Sequence, residues 1–512
     1  APDRRRGTVV IELLALRNLV LRPWRSALLL FGYSLGVAVM IVLLSIGEAL
    51  LAQSRDEKLV GGGDVTVLPE GIDVEVMKTG GLGGLFFSID HARFIYAQLL
   101  AAPRMQTQVA AVAPQIESKL LYARTGDGPE IPVMAGGEIP SRTTAVGAMP
   151  RISGGAWTDD ELDRQWRDPP PDVLRHAIDH FHLPPREARN DPTWAEWHYF
   201  NVLSPDHRHW AFISFIVAGA VPNGQWGGQV LVTLHEQGGA SRRFVATVPR
   251  TAVRFSLSRA DVALGASTVT VLPDGRYAIR ARAVEQRGGT PSAGAKTVDV
   301  NLIVSPSPGA YFPGAALSGN DVVSGYVVPG LRADASGSIC VEAACERFDG
   351  AQSYHDHNWG VWRGVTWEWG AARAGAFTLL YGRVQPRDTV AAAQPLFIYV
   401  VDSLGFLTLF RPHTIEYDDS RLLRVGDTTI HVPSRGSMID VRGDDTLRVV
   451  LTVEDATATD TRGAGAERGE GLSARQIGRP FFVQMKGRMT VSGRVGGKAI
   501  AGEGEGFFET YR

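Results

Sequence analysis

The hydrophobic pattern divides the chain into a helical beginning and a long β-rich remainder. An uncharged run at 27–46, ALLLFGYSLGVAVMIVLLSI, would rise roughly 30 Å as a helix, which is enough to cross the apolar core of a bilayer. After Glu196 the apolar residues come in short segments rich in β-branched and aromatic side chains, with hairpin signals such as the Pro-Asp-Gly turn at 273–275 between them. We therefore predict one transmembrane helix followed by antiparallel β-units, closed into barrels or folded as sandwiches.

The charges that flank the apolar run give the helix a direction. The arginines that precede it are Arg4, Arg5, Arg6, Arg17, Arg22 and Arg25. By the positive-inside rule they place the N-terminal side in the cytoplasm and the chain after about residue 53 outside it. The run is longer than the apolar part of a signal peptide and leads into no obvious cleavage site, so we expect an uncleaved anchor in the cytoplasmic (inner) membrane. A buried helix of a soluble domain is the alternative. Because Ala1 is not a typical native start, we also expect residues upstream of it.

Composition divides the chain further. The charged segment 157–195 contains PPP and LPP and is predicted to be a linker with one or two helical turns. The predicted parts are a cytoplasmic amphipathic segment (1–25), the transmembrane helix (26–52), a small α+β extracytoplasmic module (53–156), the linker (157–195), and a first and a second β-domain (196–325 and 326–512).

Charge and cysteine content narrow the function. Lysine and arginine number 52 and aspartate and glutamate 54, a net charge of −2, so we expect no nucleic-acid partner. Cys340 and Cys345 are too few for a zinc site, but they would face each other across a hairpin if Glu342 and Ala343 form its turn. They are a disulfide candidate that an extracytoplasmic location would permit, and free buried thiols are the alternative.

The candidate chemistry is concentrated at 353–370, in SYHDHNWGVWRGVTWEWG. The motifs G-x-S-x-G, G-x-x-x-x-G-K-[ST] and H-E-x-x-H are absent, so nucleophilic serine chemistry and phosphate binding have no support in the sequence. His355 and His357 would point to the same side of a strand and are a candidate metal pair. A cupin-like site would need a glutamate a few residues further on, yet Glu368 is 11 residues away. We therefore predict no metal and no cofactor.

The first quarter of the chain resembles a transporter subunit. The stretch LALRNLVLRPWRSALLLFGYSLGVAVMIVLLSIGEALL at 14–51 is similar to the first membrane segment of ABC-transporter permeases of the macrolide-exporter and lipoprotein-release type. VTVLPE at 65–70 is similar to the start of their periplasmic domain. Those permeases carry further membrane helices at their C-terminal end, and no later run here approaches twenty apolar residues. The resemblance implies the topology given above and an ABC exporter as a partner, but not transport by this chain alone.

The chain from 196 onward resembles a second family. EWHYFNVLSPDHRHWAFISF (196–215), AYFPGAALSGNDVVSGYVVPG (310–330), YHDHNWGVWRGVTWEWGAARAGAFTLLYGRV (354–384) and GEGFFETYR (504–512) occur in the order seen in the carotenoid 1,2-hydratase (hydroxyneurosporene synthase) and AttH-like group. That group consists of tandem lipocalin-type β-barrels. The resemblance implies a mainly β fold with two lipocalin-like barrels behind the single transmembrane helix and the small module. The HDHNWG element is moderately specific for the superfamily and poorly specific for a reaction.

The resemblance implies acid-catalysed hydration of an alkene in a long isoprenoid or lipid. Asp356, held in an apolar cavity, is the candidate proton donor, oriented by His355 or His357, and Asn358 is the candidate for holding the water. Aromatic faces would shelter the developing cation. The candidate substrate-binding residues are Tyr354, Trp359, Trp367, Trp369, Trp197 and Tyr199.

Two other classes of function stay open. Instead of an enzyme, the protein would be a lipid carrier that presents its ligand to an exporter, with the anchor as its docking element. The third alternative is a structural accessory subunit of a membrane complex. Trp367 and Trp369 alternate with Glu368 as in any half-buried strand, so they also suit a packed core. Asp356 and its neighbouring histidines would equally form a buried corner that fastens two barrels together.

Overall fold

The computed structural model describes the N-terminal helix and most of the β-rich remainder. The described residues are 17, 20–56, 65, 67, 95–96, 99–100, 103–147, 158–161, 163–164, 179–184 and 194–512, apart from gaps at 125, 127, 221–224, 288–289, 292–293, 320–321, 362–364, 386–394 and 461–478. The chain divides into two compact units, one with residues 1–83 and 115–157 and the other with 84–114 and 158–512.

The described helices are few, and one is long. They are α1 (Pro23–Asp56), α2 (Pro103–Gln106) and α3 (Pro140–Ala145), with a 3-10 turn at Arg250–Ala252. Within α1, the stretch Pro23–Ile46 is long and apolar enough to cross a membrane, a property that anchors and signal sequences share. The predicted helix at 26–52 is thus confirmed as a helix. Its unit also contains the antiparallel pair β1 (Gln115–Ala123) and β2 (Ile131–Glu138).

Fourteen strands of the second unit form the first sheet. They are β3 (Trp194–Leu203), β4 (His209–Ala220), β5 (Gln225–Glu236), β6 (Arg242–Pro249), β7 (Val253–Phe255), β8 (Val262–Leu264), β9 (Ser267–Val271), β10 (Tyr277–Arg287), β11 (Thr290–Pro291), β12 (Thr297–Pro306), β13 (Phe312–Gly319), β14 (Val322–Val341), β15 (Ala344–Arg347) and β16 (Ala351–Val361). Eight of these close a ring in the order β3-β4-β5-β6-β10-β12-β14-β16, because β10 pairs with both β6 and β12 and β16 pairs with β3. The predicted lipocalin-like barrel is confirmed here.

The second sheet has nine strands in the order β20-β19-β18-β17-β27-β26-β25-β24-β21. They are β17 (Thr366–Ala374), β18 (Phe377–Gln385), β19 (Phe397–Asp402), β20 (Gly405–Phe410), β21 (Glu416–Asp418), β24 (Arg435–Arg442), β25 (Asp445–Asp460), β26 (Phe481–Val495) and β27 (Lys498–Tyr511), while β22 (Arg421–Val425) and β23 (Thr428–Val432) pair separately. Since β14 and β16 belong to the first sheet, the division between the sheets falls between Val361 and Thr366 and not at 325/326.

Each sheet has its own hydrophobic core, and a third core lies where the sheets meet. Phe200 and Ile279 belong to the core inside the first barrel, and Leu379 and Val449 to the core of the second sheet. The third, which we call the interdomain core, draws on strands of both sheets. Its buried members are Ala195, Tyr199, Leu203, Trp210, Phe212, Ala310, Tyr326, Val328, Leu331, Tyr354, Val365, Trp369, Leu380, Val384, Phe397, Tyr399, Val401 and Phe507.

The hairpin of β14 and β15 carries the two cysteines. Cys340 lies directly opposite Cys345, and the two are joined in a disulfide. The turn consists of Glu342 and Ala343, and Glu342 takes a positive φ of 55°, as such two-residue turns require. The disulfide therefore fastens the end of the longest strand of the barrel.

Candidate functional site

Strand β16 carries the segment that the sequence singled out, and its alternation divides that segment between two faces. His355 lies opposite Phe200 of β3, a residue of the first barrel's core, and so points into the barrel. Asp356 lies opposite Tyr199, a residue of the interdomain core, and points the other way. The predicted orientation of Asp356 by His355 or His357 is therefore wrong, because neighbours along a strand face opposite sides.

Asp356 has a neutral hydrogen-bond donor on each carboxylate oxygen. The Tyr354 hydroxyl donates to Oδ2 at 2.8 Å, and Asn358 Nδ2 donates to Oδ1 at 2.7 Å. Trp369 Nε1 donates to the Tyr354 hydroxyl oxygen at 2.7 Å, which leaves the tyrosine proton for the carboxyl group. Asp356 is 5% exposed, and burial raises its pKa to about 6 although both hydrogen bonds favour the carboxylate.

Asp356 differs from the other buried carboxyl groups of the described chain because no basic side chain lies within ion-pair distance of its oxygens. Each of the others is paired with a basic side chain: Asp179 with His355 and His357, Glu196 with His182 and His357, Glu285 with Arg242, Glu368 with Arg383, and Glu505 with Lys486. A buried carboxyl group without a counter-charge is the kind whose neutral acid form is favoured.

The interdomain core gathers most of the aromatic residues that the sequence predicted to bind substrate. Those that lie in it or pack against it are Trp197, Tyr199, Tyr354, Trp367 and Trp369. The Tyr326 ring meets the Trp369 ring edge to face, with centroids 5.1 Å apart. Trp359 lies on the opposite face and stacks on His182, with ring centroids 3.7 Å apart. The predicted set is thus split between two sites.

The barrel-interior face of β16 belongs to a buried cluster of histidines and carboxylates. We use the term histidine–carboxylate cluster for Asp179, His182, Glu196, His198, His355 and His357. His357 lies between the two carboxylates, with Nδ1 2.8 Å from Asp179 Oδ1 and Nε2 2.9 Å from Glu196 Oε1. Glu196 Oε1 also lies 3.0 Å from Nδ1 of the half-buried His182. A hydrogen-bonded chain therefore runs from His182 to the barrel interior.

Asp179 is a fully buried carboxylate with four side chains close to its oxygens. The Tyr277 hydroxyl donates to its Oδ2 at 2.6 Å. His355 Nε2 lies 3.3 Å from the same oxygen, while His355 Nδ1 donates to the Tyr199 carbonyl oxygen at 3.0 Å. His198 Nδ1 lies 3.7 Å from Asp179 Oδ1, beyond hydrogen-bonding distance. Asp179, His198 and His355 are fully buried.

Burial and mutual attraction act in opposite directions on the pKa values of the cluster. Burial lowers the pKa of His357, but its hydrogen bonds to the two carboxylates outweigh burial and raise the pKa to about 9. Burial would raise the pKa values of Asp179 and Glu196, but the neighbouring histidines hold both below the ordinary value. Burial, reinforced by His357, holds the pKa of His198 well below its usual value.

Sequence reasoning missed four members of the cluster. Glu196 and His198 did carry a signal, because a spacing of two in a strand places both on one face. Asp179 and His182 carried none, since they lie in the segment predicted to be a linker. In the structure Asp179 is fully buried and Phe181 is 2% exposed in the first barrel's core, so this part of 157–195 packs inside a domain.

Solved structures with a similar fold were found. An AttH-assigned protein from Nitrosomonas europaea matches with 17% sequence identity and a TM-score of 0.41, over 65% of this chain and 100% of its own. Kievitone hydratase from Nectria haematococca matches with 11% identity and a TM-score of 0.38, over 65% of this chain and 94% of its own. The protein CghA matches with 14% identity and a TM-score of 0.38, over 65% and 93%. At such identities the likeness concerns the fold and not the reaction.

No protein-family model matches the chain, and no curated protein matches it. The permease resemblance of the N-terminal quarter gains no support from these comparisons.

Two groups within the cluster have donor atoms close enough to share a metal ion. One is Asp179, His198 and His355, the other is His182, Glu196 and His357, and in each group the donor atoms lie within 4.8 Å of one another. The prediction of no metal rested on the missing glutamate after the histidine pair. The fold supplies carboxylates from elsewhere, because β3 contributes Glu196 and the segment 179–184 contributes Asp179.

Proposed function

We propose that the chain is a membrane-anchored, extracytoplasmic lipocalin-like protein that binds an isoprenoid or similar lipid beside the interdomain core and hydrates one of its alkenes by acid catalysis. The observation that carries the proposal is the setting of Asp356. It is buried among aromatic rings, and its hydrogen-bond partners Tyr354 and Asn358 are neutral. A carboxyl group so placed keeps a proton at higher pH than a solvated one.

The proposed reaction needs one acid and one water. Asp356 transfers its proton to one alkene carbon, and the new C–H bond forms as the π bond breaks. The positive charge on the other carbon then faces the rings of Tyr354 and Trp369, each contact contributing about 1 kcal/mol or more when desolvated. A water adds to this carbon and returns a proton to the Asp356 carboxylate. The balance consumes one water and no other reactant.

The location of the protein is part of the proposal. Helix α1 supports a membrane anchor, and the disulfide between Cys340 and Cys345 supports an oxidising compartment for the β-domains. The arginines before the helix favour a cytoplasmic N-terminus. An ABC exporter as a partner rests on the sequence resemblance alone.

The test uses the full chain in detergent with lycopene or neurosporene as the probe, in water enriched in ¹⁸O. We expect one ¹⁸O atom in the hydroxylated product. Asp356→Asn keeps the shape of the side chain but cannot supply the acid proton, so we expect it to bind the isoprenoid and to lose roughly 100-fold or more of the hydration rate.

The matched control is Asp299→Asn, which changes an exposed carboxyl group on the first barrel and leaves the interdomain core untouched. We expect it to hydrate at the wild-type rate. Isoprenoid bound without change by the wild type and by both variants would overturn hydration and favour the carrier function. Full activity in Asp356→Asn would place the acid elsewhere.

A further inference from the structure

The tautomer of His355 is fixed by its backbone partner. Its Nδ1 lies 3.0 Å from the Tyr199 carbonyl oxygen, which only accepts hydrogen bonds, so Nδ1 carries the hydrogen. In the neutral ring, Nε2 then presents a lone pair to Asp179 Oδ2, which lies 3.3 Å away. Two lone pairs at this distance repel each other unless a positive species lies between them. A metal-binding histidine usually has this arrangement, in which Nδ1–H donates a hydrogen bond to a backbone carbonyl and Nε2 is the atom that binds the metal.

The ring nitrogens of His198 also lack partners. It is fully buried, and neither ring nitrogen makes a hydrogen bond within the described chain. The backbone of Ala260 lies beside the ring without forming a hydrogen bond of normal geometry. Nδ1 is instead 3.7 Å from Asp179 Oδ1. Buried imidazole nitrogens without partners are rare and indicate a ligand or a functional role.

Asp179 is already held in place on both sides. Tyr277 donates to Oδ2, and His357 lies at 2.8 Å from Oδ1. Hydrogen bonds of this kind orient carboxylate ligands in metal sites. The donor atoms of Asp179, His198 and His355 lie within 4.8 Å of one another, and ligands on one ion at 2.0–2.2 Å lie about 3 to 4 Å apart, so a small contraction suffices.

We propose that Asp179, His198 and His355 bind one divalent transition-metal ion, of the Zn²⁺ or Fe²⁺ class, inside the first barrel. Two imidazoles and one carboxylate are a ligand set that such ions accept and that leaves a position for water or a small ligand. The site lies on the opposite face of β16 from Asp356 and does not depend on the hydration proposed above.

The charges of the cluster favour this site over the other group of three. His357 faces a carboxylate at each ring nitrogen, so it balances at most one of the two buried negative charges, and no lysine or arginine of the described chain bonds to either. The group of His182, Glu196 and His357 is already joined by hydrogen bonds of 2.9 and 3.0 Å. The histidine nitrogens that lack a hydrogen-bond partner, and the carboxylate charge that lacks a full counter-charge, therefore belong to the group of Asp179, His198 and His355.

The experiment titrates the full chain in detergent, freed of metal by a chelator, with Zn²⁺ in a calorimeter and with Co²⁺ in an absorption spectrometer. We expect one high-affinity ion per chain and visible absorption bands from the bound Co²⁺, as imidazole and carboxylate ligands suit such ions. His198→Phe should weaken binding at least 10-fold, since it removes one ligand. Absence of a stoichiometric ion in the folded wild type would overturn the proposal.

The matched control is His235→Phe. His235 is another buried histidine, 8% exposed, whose Nε2 lacks a hydrogen-bond partner in the described chain, but it packs against Trp210 and Phe212 and not against a carboxylate. We expect it to leave metal binding unchanged. If His198→Phe does not fold, Tyr277→Phe decides, because it removes the hydroxyl group that donates to Asp179 Oδ2 and should lower metal affinity about 10-fold. Equal affinity in Tyr277→Phe and the wild type would contradict the site.

Discussion

At the scale of single residues, the face on which a side chain lies determines its chemistry. The sequence predicted that His355 and His357 lie on one side of a strand. Because side chains alternate along a strand, Asp356 lies on the other side, and neither histidine can orient it. The face on which each of these residues lies could be predicted from the local sequence. The contact of Tyr277 with Asp179 could not, because these residues are 98 positions apart and meet only when the barrel closes. Local pattern therefore predicts which residues share a face but not what lies opposite them.

His235 gives a prediction about pH at this scale. Burial between aromatic rings lowers its pKa to about 4. The unfolded chain takes up this proton below about pH 6.5, whereas the folded chain does not until about pH 4. The contribution of His235 to the free energy of unfolding is therefore full above pH 6.5 and is lost as the pH falls towards 4. Between pH 7.5 and 4.5 we expect the wild type to lose about 2.5 kcal/mol more stability than His235→Phe.

The measurement is urea unfolding of both proteins at the two pH values, followed by tryptophan fluorescence. All other ionisable groups are the same in the two proteins, so their contributions cancel in the difference. Equal losses in the wild type and the variant would show that His235 is protonated with its ordinary pKa in the folded protein.

At the scale of the strand, the predicted boundary between the β-domains at 325/326 falls inside β14 (Val322–Val341). Pro329 and Gly330, residues that often end a strand, also lie inside it. The register of β14 with β16 shifts on both sides of Gly330, so the strand absorbs the pair as an irregularity and continues to Val341. Strand existence was predicted well from β-branched and aromatic content. Where a strand bulges instead of ending depends on its neighbours in the sheet, which the local sequence does not record.

The hairpin of β14 and β15 gives a prediction for this element. The disulfide between Cys340 and Cys345 closes a short loop, and the loop-entropy relation assigns such a loop about 2 kcal/mol. The double change Cys340→Ser with Cys345→Ser should therefore lower the free energy of unfolding of the first barrel by about 2 kcal/mol. Urea unfolding with and without a reducing agent checks this. The reductant should destabilise the wild type and leave the double variant unchanged, and an equal response of both would indicate that the disulfide does not form.

At the scale of the whole molecule, the sequence predicted two lipocalin-like β-units but not the core that they share. Tyr199 and Trp369 lie on strands of different sheets, and both contribute to the interdomain core. Each strand on its own shows only that one face is apolar. The apolar outer face of β3 is accounted for only by the second sheet, which is why the same residues were compatible with either a pocket or a packed core.

Helix α1 carries the last prediction, which concerns where the protein resides. The apolar side chains of Pro23–Ile46 are not buried within the protein, and Phe31 and Leu43 are 67% and 63% exposed. A surface of this size and character is stable in a bilayer and not in water. We expect the full chain to stay in the membrane fraction after a carbonate wash and to keep α1. Arginine at Leu35 and Val39, near the middle of the span, should cost about 5 to 7 kcal/mol of insertion free energy and move the protein to the wash.

The control for this experiment is alanine at both positions, which keeps the span uncharged and should leave the protein in the membrane fraction. The mass and the N-terminal sequence of the recovered protein show whether α1 is a membrane anchor or a cleaved signal sequence. A mature chain that begins after Ile46 and washes off would show a signal sequence, and the anchored topology would fall. Retention of α1 together with resistance to carbonate would show that α1 anchors the chain in the membrane.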